Sequence, residues 1–276
     1  MSHKTENVRG LIKWAGGKQR ISPIIISKFQ SRENYYEPFS GGGTIFLNVL
    51  FSELKYSNYF ISDGNPLLIE AFNNIKNHPL DVISRLESFA ENNSKEFYLD
   101  LRVRFKELES IERTSAFLYI NRVCFNGLYR ENSKGIFNVP YGSPVSFETI
   151  VQKDNILKIS DIIQNIDFSY SLFDSFYTRI SEIEDLSNSF FYFDPPYYGT
   201  FTDYISAQFN VDSQIKLFEL CKIINDKNGK FVLSNSSDDF IKNLYSDFEM
   251  NEISVKRSIS ANINSRKNIN ELLVNN

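Results

Sequence analysis

The strongest constraint on the fold is a short strand that runs into a glycine turn and then into a helix. Residues 34–39 include three aromatic side chains and are typical of a strand, which leads directly into Ser40-Gly41-Gly42-Gly43. Residues 44–54 then show the apolar spacing of a helix. A strand, a tight turn and a helix in this order form the repeating unit of α/β proteins.

A second unit of the same kind follows at once. Residues 59–62 predict a strand with Asp63 at its carboxyl end, and residues 66–76 predict a helix. Asn65 suits the N-cap of that helix, and Pro66 suits its first turn. Two successive strand-helix units predict a parallel sheet.

The pattern changes in the middle of the chain and then returns. Residues 80–125 contain three amphipathic helical segments, and residues 126–142 are rich in Asn, Gly, Tyr and Pro, which favours a loop or hairpin. This region therefore reads as a helical insertion. Strands are predicted again at residues 166–170, 190–193, 230–233, 250–255 and 271–274, and helices at residues 213–225 and 239–245.

The glycine turn is the first candidate ligand site. Glycines before a helix allow a ligand to approach backbone amides closely, although the same turn often serves only tight packing. Asp63 lies twenty positions after Gly43, where a carboxylate in nucleotide-binding folds accepts hydrogen bonds from ribose hydroxyls. The glycines lack the G-x-G-x-x-G spacing, so an adenosine-containing cofactor other than a nicotinamide dinucleotide is favoured.

The aromatic strand at residues 190–193 ends in the sharpest local motif, Asp194-Pro195-Pro196-Tyr197. An aromatic amine is a poor nucleophile, and it reacts better when acceptors bind both of its hydrogens. Asp194 can supply one acceptor and the Pro195 carbonyl the other, while Pro196 stiffens the turn. Tyr197 would stack on the base. The alternative is an ordinary exit from a strand, with Asp194 as a cap.

The segment Lys13-Trp14-Ala15-Gly16-Gly17-Lys18 precedes an apolar helix that begins near Ile21. It combines an aromatic ring, a flexible glycine pair and two cations, which would suit the wall of a cofactor pocket. Trp14 is the only tryptophan, and composition alone favours an anchor in the core.

The turn-rich segment holds candidates for reading nucleic acid. Cationic, amide and aromatic side chains alternate there, as base-edge readers and intercalating residues do; they are Arg122, Phe125, Asn126, Leu128, Tyr129, Arg130 and Lys134. A solvated hairpin would look similar. The formal net charge of -4 argues mildly against nucleic acid, but residues 9–32 carry six cations and no acid.

Other chemistries find little support. Cys124 and Cys221 stand singly in apolar surroundings, which predicts buried thiols rather than a disulfide or a metal site. His3 and His78 lie far apart, which disfavours a histidine-based triad. This scarcity of paired cysteines and histidines predicts a protein without a metal. There is no apolar stretch of membrane-spanning length and no apolar signal segment at the amino terminus, so a cytoplasmic location is expected.

Taken together, these motifs resemble the DNA adenine methylase (Dam) family, the alpha-group or D12 class of N6-adenine DNA methyltransferases. The motifs span nearly the whole chain in the family's order: Leu11 to Lys18, Tyr36 to Gly43, Asn126 to Arg130, Phe137 to Gly142, Asp194 to Tyr197, Ser234 to Ser236 and Lys256 to Ser260.

The resemblance implies an architecture and partners. It implies an α/β, Rossmann-like S-adenosylmethionine-dependent methyltransferase fold at residues 1–77 and 159–276, with a mainly helical DNA-recognition domain inserted at residues 78–158. S-adenosyl-L-methionine would be the methyl donor, and an adenine flipped out of double-stranded DNA the acceptor. A monomer is expected, and a cognate restriction endonuclease acting on the same site is a possible partner.

The resemblance also assigns residues. The catalytic set comprises Asp194, Pro195, Pro196 and Tyr197. Contacts to the cofactor are implied for Trp14, Lys18, Glu37, Phe39, Gly41, Gly43, Asp63 and Asp194. Lys13 and Arg130 would help read guanines, Phe125 would occupy the intercalating position, and Asn126, Leu128 and Tyr141 would contact the target site.

One departure bears on the target sequence. Many relatives continue after Tyr141-Gly142 with Arg-Tyr-Lys, whereas this chain has Ser143-Pro144-Val145, so GATC is only one candidate site. Two rival functions stay open on the sequence alone. One is methylation of an RNA base or a protein glutamine, and the other is a non-catalytic DNA-binding module with a vestigial methyltransferase fold.

Overall fold

The computed structural model describes residues 10–198, 209–256 and 268–276. These residues belong to two compact units. The first contains residues 10–19, 41–52 and 65–170, and the second contains residues 20–40, 53–64 and the described residues from 171 onward. The predicted division at residues 78–158 stays a prediction.

The described residues form a sheet of seven strands in the order β3-β2-β1-β4-β5-β7-β6. Their bounds are β1 Asn34–Glu37, β2 Asn58–Asp63, β3 Ile166–Tyr170, β4 Ser189–Phe193, β5 Lys230–Ser236, β6 Glu249–Lys256 and β7 Asn268–Asn275. Strand β1 runs parallel to β2 and β4, β4 runs parallel to β5, and β7 is antiparallel to both β5 and β6. The expected Rossmann-like α/β fold is confirmed.

Eleven α-helices lie in the described part of the chain: α1 Ser22–Ile26, α2 Thr44–Leu50, α3 Pro66–Asn77, α4 Pro79–Glu91, α5 Lys95–Arg104, α6 Ser110–Val123, α7 Phe147–Val151, α8 Lys153–Ile162, α9 Phe173–Ser181, α10 Val211–Asp226 and α11 Asp239–Leu244. Helices α4 to α8 follow one another without a strand, as a helical insertion requires. The three predicted amphipathic segments correspond to α4, α5 and α6. None of the described helices has the length and apolar character needed to cross a membrane.

The caps explain where several elements begin and end. The Asn65 side chain accepts a hydrogen bond from Leu67 N at 3.0 Å, which confirms the predicted start of α3. Strand β1 ends at Glu37 rather than at residue 39, because Pro38 has no N–H to continue the ladder. Helix α2 ends at Leu50 rather than at residue 54, where Ser52 N bonds back to Val49 O in a tighter turn.

Three helices had no prediction behind them. Helix α7 has five residues and is separated from α8 by Gln152 in the left-handed region at φ 49°, so neither shows an extended period. Helix α9 begins three residues after β3, in a segment for which no element was predicted from the sequence. Strands β6 and β7 are longer than predicted, and residues 257–260 of the terminal Lys256 to Ser260 motif lie outside the described residues.

The core of the second unit is built on aromatic rings from neighbouring strands. Every residue of β4 is buried, as expected for a central parallel strand. The Phe191 ring stacks on Tyr36 of β1 at 4.7 Å, and Tyr36 stacks on Phe60 of β2 at the same distance. This ring packing holds β4 against β1 and so fixes the position of its carboxyl end.

Both cysteines are buried free thiols, as predicted: Cys221 in the second unit and Cys124 in the first.

Candidate active site

The motif Asp194-Pro195-Pro196-Tyr197 leaves the carboxyl end of β4, in the second unit. Pro195 is buried, and its three neighbours in the motif are half-buried. In open α/β sheets this edge is where ligands bind. The motif therefore stands where the sequence predicted it, directly after the last residue of the central strand.

The two proline carbonyls of the motif differ in their partners. Gln214 of α10 donates from Nε2 to the Pro196 carbonyl at 2.9 Å. Among the described residues, none donates a hydrogen bond to the Pro195 carbonyl. An acceptor at Pro195 therefore remains for a ligand, whereas the next carbonyl is already engaged. Gln214 is buried and was not predicted as a site residue.

Tyr197 is held through its hydroxyl. The phenol donates to Glu271 Oε2 of β7 at 3.0 Å. Burial, with the negative charges of Asp194 and Glu271, raises the pKa of Tyr197 well above its usual value, so the phenol stays neutral and donates. The sequence suggested an exposed ring, and the structure shows a half-buried one. Glu271 was missed as a site residue, and its only signal was a charge at the first position of the predicted terminal strand, before three apolar residues.

Carboxylates gather around the end of β4. The pKa of Tyr192 is raised well above its usual value, first by burial and then by the negative charge of Asp194, with smaller effects from Glu37 and Glu271. Glu37 is 1% exposed and accepts a hydrogen bond from the Tyr35 hydroxyl. Three carboxylates thus act on one buried phenol, and this edge of the sheet is suited to a ligand that carries positive charge.

The ends of β1 and β2 add an aromatic surface. Phe39 is half-buried, and its ring lies 5.7 Å from Phe173 and 5.5 Å from Phe209. The Asp63 carbonyl accepts a hydrogen bond from Ser171 N at 3.2 Å, which fixes the backbone at the end of β2. Phe39 and Asp63 therefore lie at the carboxyl ends of neighbouring parallel strands, as predicted.

The first unit brings two predicted segments together. A Cβ added at Gly41 would lie 2.9 Å from Trp14 Cδ1, and one added at Gly42 would lie 2.5 Å from Ile12 O. The glycine turn therefore packs directly against the Trp14 segment, and bulk at these positions would separate them. Trp14 is half-buried rather than a core anchor, and Lys18 is buried with Nζ donating to Gly16 O at 2.6 Å.

Replacing Gly43 with alanine is expected to lower the free energy of unfolding by about 2–4 kcal/mol. Gly43 has φ 79°, and an added Cβ would lie 2.6 Å from Phe72 Cζ. Gly135→Ala is the matched control, because Gly135 has φ 71° but the nearest atom to its added Cβ is 3.7 Å away. Urea unfolding of both variants measures the difference, and equal losses would contradict the steric argument.

The predicted DNA-reading segment also lies in the first unit. Lys13 is anchored by both sides of one amide, since its N donates to Asn121 Oδ1 at 2.8 Å and its carbonyl accepts from Asn121 Nδ2 at 2.9 Å. Gly127 packs beneath the Lys13 side chain, where an added Cβ would lie 2.9 Å from Lys13 Cβ. Lys13 is thereby joined to the hairpin that follows α6.

That hairpin exposes most of its predicted readers. Cys124 pairs with Tyr141 and Glu131 pairs with Phe137 in antiparallel bridges, which confirms the predicted loop or hairpin. Phe125 is 48% exposed. Asn126 is also exposed, with φ 56°, and the exposed Arg130 donates from Nε to Asn138 Oδ1 at 2.8 Å. Leu128 is half-buried, and so is Tyr141, whose ring lies 5.4 Å from Tyr98.

Arg122 is not available as a reader. It is 3% exposed, its guanidinium donates to the carbonyls of Ile150 and Val151, and burial lowers its pKa to about 9. The side chain fastens the end of α7 instead. Among the described residues, no group of three His, Cys, Asp or Glu side chains is placed to hold a metal ion.

Comparison with known proteins gives consistent matches. The model of the D12 class N6 adenine-specific DNA methyltransferase family matches residues 14–259. The chain is 37% identical to the type II methyltransferase M1.LlaDCHI of Lactococcus lactis subsp. cremoris, over 98% of this chain and 96% of that protein. It is 33% identical to the type II methyltransferase M.MjaIII of Methanocaldococcus jannaschii, over 98% and 99%. It is 32% identical to the DNA adenine methylase of Vibrio cholerae serotype O1, over 96% and 95%.

Proposed function

The chain belongs to the D12 class of N6 adenine-specific DNA methyltransferases, and from this premise we propose that Asp194 and the Pro195 carbonyl orient the target adenine for methyl transfer from S-adenosyl-L-methionine. The observation that carries the proposal is the difference between the two proline carbonyls. Gln214 occupies the Pro196 carbonyl, and no described residue donates to the Pro195 carbonyl. This difference supports Asp194 and the Pro195 carbonyl as the acceptor pair for one amino group.

The charge of this edge fits the cofactor. S-adenosyl-L-methionine carries a sulfonium and an ammonium group, so carboxylates stabilise it. Asp194, Glu37 and Glu271 all act on Tyr192, and Phe39 offers an aromatic surface for an adenine ring. Glu37, Phe39, Asp63 and Asp194 are the residues of this unit that would hold the cofactor. Contacts from Trp14, Lys18, Gly41 and Gly43 stay predictions from the sequence.

The main chemical task of the protein is to orient the adenine amino group toward the methyl carbon. When bound, the cofactor supplies an electrophilic methyl group on an already activated sulfonium. Asp194 and the Pro195 carbonyl each accept one N6 hydrogen, which localises the nitrogen lone pair toward the methyl carbon. As the new N–C bond forms, the bond from the methyl carbon to the sulfonium sulfur would break and leave a neutral thioether, while N6 becomes positively charged and then loses one proton. The Asp194 carboxylate is placed to accept that proton or to pass it to water.

The target base has to leave the duplex before N6 can reach such a site. Pro196 stiffens the backbone before Tyr197, and the Glu271 bond holds the Tyr197 ring in one orientation. A fixed ring offers a stacking surface at little entropic cost, and stacking stabilises a flipped base by about 1–3 kcal/mol. Tyr197 is therefore proposed to stack on the adenine.

The exposed residues of the hairpin are proposed to contact DNA. Lys13, Asn126, Leu128, Arg130 and Tyr141 keep the roles predicted for them. Phe125 is the strongest candidate for insertion between bases, because it is a large apolar side chain that is 48% exposed on a short turn.

Replacing Phe125 with alanine is expected to weaken duplex binding by about 1–3 kcal/mol, or roughly 5- to 150-fold in Kd. Fluorescence anisotropy at a fixed salt concentration measures this change in Kd, with an unmethylated duplex that contains the sequence the enzyme methylates. Phe147→Ala is the control, because Phe147 is 41% exposed on α7, outside the hairpin. An equal effect of the two changes, or none at Phe125, would remove Phe125 from the DNA contact.

The target sequence is the part of the function that the relatives leave open, because they include both DNA adenine methylases and type II methyltransferases. Plasmid DNA from a strain without adenine methylation, sequenced for N6-methyladenine after expression of this chain, gives the site directly. A single recurrent context is expected, with GATC as one candidate. Absence of methyladenine despite folded protein would overturn the proposed function. A cognate endonuclease, a monomeric state and a cytoplasmic location stay predictions.

A further inference from the structure

Within the second unit, a chain of side-chain hydrogen bonds connects β5 to the loop that carries Asp194 to Tyr197 after β4. Ser236 N donates to Asn235 Oδ1 at 2.8 Å, and Asn235 Nδ2 donates to Gln214 Oε1 at 2.9 Å. Gln214 Nε2 then donates to the Pro196 carbonyl at 2.9 Å. Asn235 is 0% exposed and Gln214 is 1% exposed, so water cannot replace these partners.

The direction of this chain is set by the backbone. An amide side chain can be rotated to exchange its oxygen and its NH₂ group, and the surrounding partners decide which way it points. The Ser236 N–H can only donate, so the Asn235 oxygen must face it and the Asn235 NH₂ must face Gln214. That in turn turns the Gln214 NH₂ group toward the Pro196 carbonyl. One backbone N–H thus fixes the orientation of two buried amides.

The neighbours of Asn235 on β5 bind the same region. Ser236 Oγ donates to the Tyr198 carbonyl at 3.1 Å, and Ser234 Oγ lies 3.0 Å from the Tyr192 hydroxyl. Ser234 and Ser236 therefore contact the end of β4 and the loop beyond it directly, and Asn235 is linked to that loop through Gln214. Apolar side chains would fill these positions without the cost of burying amides and hydroxyls.

We propose that Gln214 and Asn235 are positioning residues for methyl transfer. By engaging the Pro196 carbonyl they fix the peptide plane between Pro196 and Tyr197. The ring of Pro196 locks φ between this plane and the preceding one, so the Pro195 carbonyl keeps the orientation in which it accepts an N6 hydrogen. Neither residue touches the reacting atoms. The inference rests on the proposed function, because it assigns these amides to the same acceptor loop.

Two substitutions test the proposal. Gln214→Met keeps an unbranched side chain of similar length but cannot donate to the Pro196 carbonyl. Asn235→Asp still accepts from Ser236 N but no longer donates, so it draws the Gln214 NH₂ group toward itself and turns the Gln214 oxygen toward the Pro196 carbonyl. Each is expected to lower kcat about 10- to 100-fold, since small misplacements of reacting groups have effects of this size.

The kinetic pattern separates positioning from general damage. KM for DNA and the Kd for S-adenosyl-L-methionine are expected to change by less than about threefold, because an orientation lost only in the transition state appears in kcat. The double variant is expected to lose little more than Gln214→Met alone, since both changes act through one carbonyl. Asn243→Asp, at an exposed position of α11, is the control and should match the unmodified enzyme.

The outcomes discriminate between the inference and the function beneath it. If the unmodified protein transfers no methyl group to duplex DNA, the proposed function fails. If the unmodified protein is active and folded Gln214→Met keeps its kcat, the positioning role is overturned. Should Gln214→Met fail to fold, Asn235→Asp gives the same test, and a normal kcat in the folded Asn235→Asp protein would equally reject the proposal.

Discussion

Replacing Asp194 with alanine is expected to lower kcat for methyl transfer to duplex DNA by about 100- to 1000-fold at saturating cofactor, by analogy with the loss of one preorganised hydrogen-bonding group. The carboxylate follows the last residue of β4, and its negative charge raises the pKa values of the buried Tyr192 and the half-buried Tyr197. Its removal takes away one of the two acceptors proposed for the N6 hydrogens. It also takes away one charge that favours a cationic cofactor, so the Kd for S-adenosyl-L-methionine should rise.

The rate of labelled methyl transfer to a duplex that contains the recognition sequence, as identified by plasmid sequencing, gives kcat. Calorimetry measures the Kd for the cofactor. Asp247→Ala is the matched control, because it removes a carboxylate from an exposed position between α11 and β6. Asp194→Asn adds a second comparison, since it keeps one oxygen and removes the charge. Near-normal kcat in a folded Asp194→Ala protein would exclude Asp194 from the reaction.

The second large effect is on stability. Replacing Phe191 with alanine is expected to lower the free energy of unfolding by about 3–5 kcal/mol. Phe191 is 0% exposed in the middle of the central strand, and its ring stacks on Tyr36 at 4.7 Å and lies 6.0 Å from Phe193. The truncation leaves a cavity that the neighbouring rings, fixed on β1 and β4, cannot easily fill.

Chemical denaturation followed by circular dichroism measures this loss. Phe125→Ala provides the same change of side chain at a position that is 48% exposed, and its effect on stability should stay within about 0.5 kcal/mol. Catalysis by folded Phe191→Ala should also fall, since β4 leads directly into Asp194. Similar stabilities of the two variants would contradict the assigned core.

Local chemistry explains most of what the sequence predicted. Turn conformation, helix capping and strand burial depend on only a few neighbouring residues. The sequence could therefore predict the glycine turn, the Asn65 cap and the buried strand before Asp194. The α/β class, the helical insertion and the family followed from their order along the chain. The ends of elements were predicted less accurately. The aromatic residues around Pro38 predicted a strand that continues to residue 39, but β1 ends before Pro38, at Glu37.

The missed residues have no such local signature. Gln214 sits on a helix among polar and apolar neighbours, and nothing near it in sequence indicates that it reaches the Pro196 carbonyl, eighteen residues away. Glu271 binds Tyr197 from 74 residues away. Arg122 looked like a DNA contact because it precedes Phe125, yet its side chain points into the helical unit, toward the end of α7.

The sequence by itself determined the family of the protein and the order in which the chain presents the family's motifs. It predicted Asp194 and the Pro195 carbonyl as acceptors, whereas the close packing of Gly41 against Trp14 was visible only in the structure. The tertiary structure alone decided which proline carbonyl is already engaged, through Gln214 and Asn235. The physical reason is that a buried polar group must find a partner wherever the fold supplies one, and sequence distance does not limit that choice.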